Sequence, residues 1–226
     1  MSTLRKFLVV GGLAATALPA AAHADDFQHW ETVSVQVGLG GPWRVSNETV
    51  VRTSDARGLY ELENNLLLGY KLNKQVTVWA GYTHAPSYLH GDFTIMEHRA
   101  RQQVTFDNIL KIGEAKLSAR LRVEERWREG ISGTGWRVRP YAKVALPVAN
   151  GGKTSVVYTH ESFVNLNSTA FQRTTGHDRM RNFVGINTLL IKPVNLEFGY
   201  LNQHGFVRNG PDTDDHVLSI SLSANF

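Results

Sequence analysis

The strongest constraint on the fold is a strict alternation of apolar and polar residues. From Ala115 to Val123 every second residue is apolar, and the residues between them are polar or charged. The last segment, from Leu218 to Phe226, alternates in the same way. A β-strand places successive side chains on opposite faces, whereas a helix would mix the two sets. The pattern therefore predicts long β-strands.

Weaker alternation along the rest of the chain predicts about eleven strands and no helix. They lie at about 29–38, 43–53, 58–72, 75–84, 95–109, 115–128, 136–146, 152–164, 179–191, 194–206 and 218–226. Short turns are expected at 40–42, 73–74, 112–114, 150–152 and 192–193. Longer loops are expected near 85–94, 129–134, 165–178 and 205–213. Short turns on one rim and long loops on the other are typical of outer-membrane barrels.

The first 24 residues have the pattern of a cleaved secretory signal peptide. Arg5 and Lys6 precede a run of apolar and small residues, and Ala22-His23-Ala24 is a small-x-small cleavage site. We therefore predict a signal peptide over 1–24 and a single β-barrel domain over 25–226. The chain has no cysteine, which excludes disulfides and suits a protein exported to a bacterial envelope.

The charge balance argues against a nucleic-acid partner. The full chain has 24 basic and 20 acidic side chains. Arg5 and Lys6 leave with the leader, which reduces the positive excess to two. An excess this small provides no electrostatic footprint for DNA or RNA.

Alternation alone leaves two architectures open. A soluble periplasmic barrel would turn its apolar face inward and bind an apolar ligand, whereas a membrane barrel turns that face to lipid. The export signal and the terminal aromatic residue Phe226 favour the membrane barrel. So do the aromatic residues near predicted strand ends: Trp30, Trp43, Tyr70, Tyr82, Trp136 and Tyr200.

The fold prediction is therefore an all-β, antiparallel, up-and-down outer-membrane β-barrel of about 10–12 strands. Twelve is preferred because single-chain bacterial barrels normally have an even strand number. The expected partners are outer-membrane lipids and, through Phe226 as an assembly signal, the barrel assembly machinery. The sequence predicts no oligomeric state.

In a membrane barrel the charged face encloses the lumen. The residues predicted to form its charge network are Arg99, Arg101, Arg120, Arg122, Glu124, Arg126, Arg137, Arg139, Glu161, Arg181 and Glu197. One interpretation is a packed structural network, because buried charges must be paired. The other is an arginine-lined path for small polar or anionic solutes, because charged rings set pore selectivity.

Several short motifs in the mature chain resemble one known family. They include WRVSNE at 43–48, VTVWAGY at 76–82, EHRARQQ at 97–103, LSARLRVEER at 117–126, ESFVN at 161–165 and EFGYL at 197–201. With these motifs the chain resembles the DUF2490 family, exported bacterial proteins of unknown function regarded as outer-membrane barrels. The resemblance implies that the arginine and glutamate positions are a family signature. It implies no activity and no catalytic residue.

One pair of residues raises the possibility of catalysis. His160 and Ser162 share the apolar, outward face of a predicted strand, as a His-x-Ser pair does in outer-membrane phospholipases and lipid A deacylases. A serine hydrolase also needs a residue that orients the base, here Asn165 or a residue on a neighbouring strand. The Asn-Gly that follows the serine in the phospholipase is replaced by Phe163-Val164. We therefore favour a non-enzymatic barrel without metal or cofactor and keep a lipid-facing hydrolase as the alternative.

Overall fold

The computed structural model describes residues 26–172 and 174–226, so the predicted signal peptide lies outside the described residues. The strands are β1 (Asp26–Gly40), β2 (Trp43–Ser54), β3 (Gly58–Lys71), β4 (Val76–Leu89), β5 (Asp92–Ile112), β6 (Ala115–Arg128), β7 (Ile131–Ala149), β8 (Thr154–Asn165), β9 (Gly176–Ile191), β10 (Val194–Gly205) and β11 (Thr213–Asn225). Within those ranges no helix is long and apolar enough to cross a membrane.

The eleven strands close into one barrel. This confirms the all-β prediction and the range of 10–12 strands, but the preference for twelve was wrong. Each hairpin reverses the chain direction, so the first and last of eleven strands point the same way. The barrel therefore closes through a parallel pair of β1 and β11, in which Asp26 faces Asp215 and Gln36 faces Asn225. All other neighbouring strands are antiparallel.

The barrel has two rims, which we call rim A and rim B. Rim A carries the end of β1, the turn that joins β1 to β2, and Phe226 at the end of the chain. The Phe226 carbonyl oxygen accepts a hydrogen bond of 3.0 Å from the Gly38 amide. Rim B carries Asp26 and the two longest connections, residues 166–175 and 206–212. Every short turn predicted from the sequence lies on rim A.

Two of the four predicted long loops are wrong. β4 and β5 continue to Leu89 and Asp92, and β6 and β7 continue to Arg128 and Ile131. Each of these hairpins closes through a two-residue turn, and in the first turn His90 and Gly91 both have positive φ. Polar residues and a bulge at Ser87/Tyr88 interrupt the apolar alternation there, although the strands themselves do not end.

The apolar face of the wall points outward and the charged face points inward. In β6, Arg122, Glu124 and Arg126 are buried, whereas Leu121 and Trp127 are exposed. Large apolar side chains are exposed on every strand of the barrel. Trp30 is an exception to the predicted aromatic girdle because it is 5% exposed and points into the lumen, where its indole donates to Gln28 and Tyr60.

Candidate functional site

An ion-pair network of nine arginines and five glutamates fills much of the lumen. Its members are Arg52, Arg99, Arg101, Arg120, Arg122, Arg126, Arg128, Arg137, Arg139, Glu61, Glu63, Glu97, Glu124 and Glu161. This set therefore has a formal net charge of +4, from nine arginines and five glutamates. The network is therefore unbalanced as well as buried.

Glu124 and Glu161 anchor the middle of the network. Glu124 is fully buried and accepts hydrogen bonds from Arg137 Nε at 2.9 Å and Arg139 Nη1 at 2.8 Å. Arg139 also binds Glu161 through Nε and Nη2, at 3.1 and 3.0 Å. Arg120 contacts the same carboxylate from β6. Such forked guanidinium–carboxylate pairs are the strongest and most directional of protein ion pairs.

A second set of ion pairs lies nearer rim B. Glu97 is 2% exposed and accepts hydrogen bonds from three guanidinium groups, those of Arg99, Arg126 and Arg128. Arg99 also donates to Glu63 at 2.8 Å. One carboxylate therefore serves three cations, because the inner face provides too few carboxylates.

Three guanidinium groups in the lumen, two of them buried, lack a close carboxylate partner among the described residues. The nearest carboxylate oxygen to Arg101 is 3.9 Å away, on Glu63. For Arg122 the distance is 3.8 Å, to Glu124, and its Nε donates to the amide oxygen of Gln103. Arg181 Nε donates to Gln203 at 2.8 Å. Neutral amide oxygens thus replace carboxylates around these cations.

Aromatic rings take up part of the remaining positive charge. Trp30 lies between Arg52 and Arg181, each with its guanidinium carbon 4.4 Å from the ring centroid. Phe163 is buried and has four guanidinium groups within 5.7 Å of its centroid, those of Arg137, Arg139, Arg179 and Arg181. The negative face of an aromatic ring attracts cations, and more strongly in a desolvated site.

A line of cavities runs through the lumen. The rim B cavity has a volume of about 650 Å³, and a small cavity of about 100 Å³ adjoins it. The central cavity, about 270 Å³, shares Arg52 and Arg181 with the rim B cavity. The rim A cavity, about 230 Å³, shares Glu48 and Arg122 with the central one. Side chains alone separate these spaces.

The two sides of this line differ in composition. On one side is the arginine wall, formed by β5, β6 and β7: Arg99, Arg101, Arg120, Arg122, Arg126, Arg128, Arg137 and Arg139. On the other is the serine wall, formed by β10, β11 and β1: Gly199, Ser219, Ser221 and Thr32. Ser219, Ser221 and Thr32 line the central cavity opposite the arginines. The open space therefore follows the wall with the short side chains.

All eleven residues that the sequence predicted for the lumen network lie on the inner face. Glu197 stands apart from the others and pairs with Lys143. The sequence missed Trp30, Phe163 and Gln172 as members of this site. Gln172, in the long loop 166–175, turns into the barrel mouth and accepts a hydrogen bond of 3.0 Å from Arg126 Nη1. No alternation exists in a loop, so no sequence signal marked that residue.

The outer wall carries a separate hydrogen-bonded chain on β8 and β9. Ser162 Oγ lies 3.0 Å from His160 Nε2, and His160 Nδ1 lies 2.8 Å from Asn182 Oδ1. The Tyr158 hydroxyl donates to the same Asn182 oxygen at 3.0 Å. The structure thus places Asn182, not Asn165, against His160, while Asn165 is buried and binds the Thr174 carbonyl oxygen.

No group of three or more His, Asp or Glu residues in the described ranges is arranged to hold a metal ion. His84 and His90, which share a region of the sequence with Asp92, lie on β4 and in the following turn. They do not form a cluster.

Comparison with known proteins identifies relatives without a known role. The family described as "Protein of unknown function (DUF2490)" matches residues 27–214. An uncharacterized protein of Methylorubrum extorquens is 29% identical over 227 residues, which cover 97% of each chain. No solved structure matches this chain.

Proposed function

Because the chain belongs to the DUF2490 family of unknown function, we propose a role from its own geometry, that of an outer-membrane barrel with a narrow route for small anions. The observation that carries the proposal is the excess of guanidinium over carboxylate groups along a line of cavities. The proposal has two parts, the membrane location and the anion route, and each has its own test.

The outer surface supports the membrane location. Large exposed apolar side chains on every strand would give a soluble barrel a far larger apolar surface than monomeric proteins tolerate. Trp43 and Tyr70 pack edge to face near rim A, with centroids 4.9 Å apart. Tyr82, Trp136 and Tyr200 are exposed on the outer wall towards rim B. Two aromatic belts suit the two interfaces of a membrane.

Phe226 supports assembly into that membrane. It is 70% exposed at the end of the last strand, and its amide donates to the Gln36 carbonyl oxygen at 2.8 Å. The terminal aromatic side chain is thus accessible while its backbone continues the β1–β11 seam. In this proposal it is the feature that the barrel assembly machinery recognises.

Fractionation tests the location. We expect the protein in the outer-membrane fraction of a density gradient, resistant to extraction by high salt and released by detergent. A soluble periplasmic barrel would instead leave the cell in an osmotic-shock extract. Recovery in that extract would overturn the membrane location.

The lumen supports the anion route. Arg101 and Arg120 each have a buried Nε without a hydrogen-bond partner among the described residues, and both side chains line the rim A cavity. Buried polar hydrogens are normally paired, so unpaired ones beside a cavity favour a ligand with acceptor oxygens or a halide. The positive excess of the network lowers the energy of an anion in the neighbouring space.

Conductance of the refolded protein in a planar bilayer tests the route. We expect small discrete steps, with a reversal potential in a KCl gradient that indicates preference for chloride. Arg122→Gln should reduce that preference, whereas Lys116→Gln, at an exposed position of β6 near rim A, should leave it nearly unchanged. Each sample is first shown to be folded by heat-modifiable gel migration. A folded barrel that carries no current, or prefers cations, would overturn the anion route.

A further inference from the structure

The hydrogen-bonded chain on the outer wall has a defined direction. The amide oxygen of Asn182 only accepts, so the hydrogen of His160 lies on Nδ1, which is 2.8 Å from that oxygen. His160 Nε2 is then left with its lone pair directed at Ser162 Oγ, 3.0 Å away. The serine hydroxyl donates to this nitrogen. This is the arrangement in which a histidine base activates a serine nucleophile, with a third group that fixes the histidine tautomer.

The sheet holds this arrangement rigidly. His160 and Asn182 are direct partners across β8 and β9, and Ser162 faces Met180 in the same register. Tyr158 donates its hydroxyl hydrogen to Asn182 at 3.0 Å, which fixes the amide from the other side. Positions set by strand register are more precise than positions on loops. The chain of contacts is therefore a property of the fold.

A second outward-facing histidine shows that the arrangement is specific to this place. His98 Nδ1 contacts a tyrosine hydroxyl, that of Tyr82, where His160 Nδ1 contacts the Asn182 amide oxygen. Its Nε2, however, lies 3.1 Å from a carboxylate oxygen of Glu129. His98 thus lies between a phenol and a carboxylate and has no aliphatic hydroxyl to activate, whereas His160 faces the serine hydroxyl of Ser162.

The ladder between β7 and β8 is interrupted opposite Ser162, without a change of register. The pairing of β7 with β8 passes from Val138↔Val164 directly to Tyr141↔Glu161, which leaves Pro140 opposite Ser162. Proline has no amide hydrogen and cannot complete the ladder. The missing hydrogen deprives a carbonyl oxygen of β8 of its donor, so the interruption itself supplies no amide to the oxyanion of acyl transfer, and that donor has to come from another group.

We propose that Ser162, His160 and Asn182 form a serine-nucleophile site that hydrolyses ester-linked acyl chains of membrane lipids. The site lies on the outer wall just on the rim B side of Tyr158, which is exposed there like Tyr200 and Tyr82. Aromatic residues of this kind mark the membrane–water interface, the depth at which lipid ester bonds lie. The access to lipid rests on the proposed membrane location, whereas the reactivity of Ser162 does not.

The reaction needs only water and the ester. Ser162 Oγ forms a bond with the ester carbonyl carbon while its proton passes to His160 Nε2. The bond between that carbon and the alcohol oxygen then breaks, and His160 returns the proton to the leaving alkoxide. Water, deprotonated by His160, then attacks the acyl carbon. The bond between that carbon and Ser162 Oγ breaks, His160 returns the proton to Oγ, and a fatty acid is released. Asn182 is a positioning residue, because it acts through the histidine.

A fluorophosphonate probe tests the reactivity of Ser162 in detergent, independently of cellular location. We expect the refolded full chain to be labelled, and peptide mass mapping to place the label on Ser162. His160→Ala should lower the labelling rate by about 100-fold or more. Asn182→Ala should lower it as well, and Asn182→Asp should restore much of it, because an aspartate also accepts from Nδ1. Asn64→Ala is the matched control, since Asn64 is another outward asparagine in a hydrogen-bonded cluster, and it should label like the wild type.

Lipid hydrolysis tests the substrate class. Mixed micelles of phosphatidylethanolamine, and separately of lipid A, are incubated with wild type and Ser162→Ala. Fatty acid released from either lipid by the wild type alone would support the proposal and identify the acyl source. A barrel that migrates as folded yet is not labelled on Ser162, or releases fatty acid from neither lipid, would overturn it. Failure of the conductance experiment would leave this result unaffected.

Discussion

The arginine wall and the serine wall line the same lumen, but the first fills it with paired side chains and the second leaves it open. On the arginine wall, long side chains bind carboxylates of nearby strands, such as Glu124 of β6 and Glu161 of β8. On the serine wall, short side chains such as Ser219 and Ser221 leave the central cavity open. One half of the barrel thus connects neighbouring strands by ion pairs, and the other half lines the cavity.

The difference shows how a barrel can be both packed and open. A buried ion pair contributes little net stability, but breaking one costs a great deal because it leaves an unpaired charge. The stability of this barrel should therefore be sensitive to changes on the arginine wall and nearly indifferent to polar changes on the serine wall. The following predictions test that contrast, from the largest expected effect to the smallest.

The largest effect is expected from removal of Glu124. Glu124→Ala leaves Arg137 and Arg139 without their shared partner. Removing one member of a buried pair costs about 3–5 kcal/mol. Urea unfolding of the refolded barrel in lipid vesicles, followed by heat-modifiable migration, measures the change.

The matched control for Glu124 is an exposed acid in an ion pair. Glu114 pairs with Lys111 at 3.3 Å, and both side chains are more than half exposed. Glu114→Ala should change stability by less than about 1 kcal/mol. If Glu124→Ala and Glu114→Ala lower the unfolding midpoint equally, the arginine wall is hydrated and the lumen is an open pore.

The next effect concerns Phe163, the aromatic ring on β8 beside the arginine wall. Phe163→Leu keeps an apolar side chain of similar size but removes the ring that Arg139 and Arg181 approach at 4.3 and 4.7 Å. We expect a loss of about 2 kcal/mol in unfolding free energy, since desolvated cation–π contacts have that strength. Phe183→Leu, at a buried inward ring of β9, is the comparison. Equal losses at the two sites would show that packing, not charge, explains the role of Phe163.

Phe163 also illustrates what could be read from the sequence. The alternation in segments such as β6 and β11 predicted the strands, the charged face and the members of the network, because a residue in a strand can lie on only one of two faces. Phe163, which lies on the same face of β8 as Glu161, was not included in that network. The arginines around its ring come from β7 and β9, the two neighbours of β8, and their positions depend on the register between these strands, which the periodicity of a single strand does not give.

Three further points of difference between prediction and structure concern the strand number, Trp30 and the partner of His160. The preference for twelve strands was wrong because the parallel pairing of β1 with β11 cannot be predicted from either strand alone. Trp30 was assigned to a girdle by its position near a strand end, although the parity of β1 places it inside. A residue on a neighbouring strand was one of the two predicted partners of His160, but Asn182 could not be named because it lies on β9, beyond the loop 166–175. The strand number and the partner of His160 depend on pairing between segments, whereas the sequence shows only periodicity within them.

A smaller effect is expected from added volume on the serine wall. At Gly199 a Cβ atom would lie 2.2 Å from the Val184 carbonyl oxygen, 2.5 Å from the Gly185 Cα and 3.0 Å from the Phe183 ring. Gly199→Ala should therefore cost about 1–2 kcal/mol, within the range for overpacking. Gly38→Ala is the control, because its Cβ would meet only the end of the flexible Arg44 side chain closely. A neutral Gly199→Ala would show that the backbone of β10 moves to make room.

The smallest effect is expected from a polar change on the same wall. Ser221 of β11 lines the central cavity, so Ser221→Ala removes a hydroxyl that faces open space. We expect a change in unfolding free energy of no more than about 0.5 kcal/mol. In the bilayer, Ser221→Phe should reduce conductance while the chloride preference persists, because the charges that set preference stand on the opposite wall. A large stability loss in Ser221→Ala would mean that the serine wall takes part in the network, and the division of the lumen into two functions would then fail.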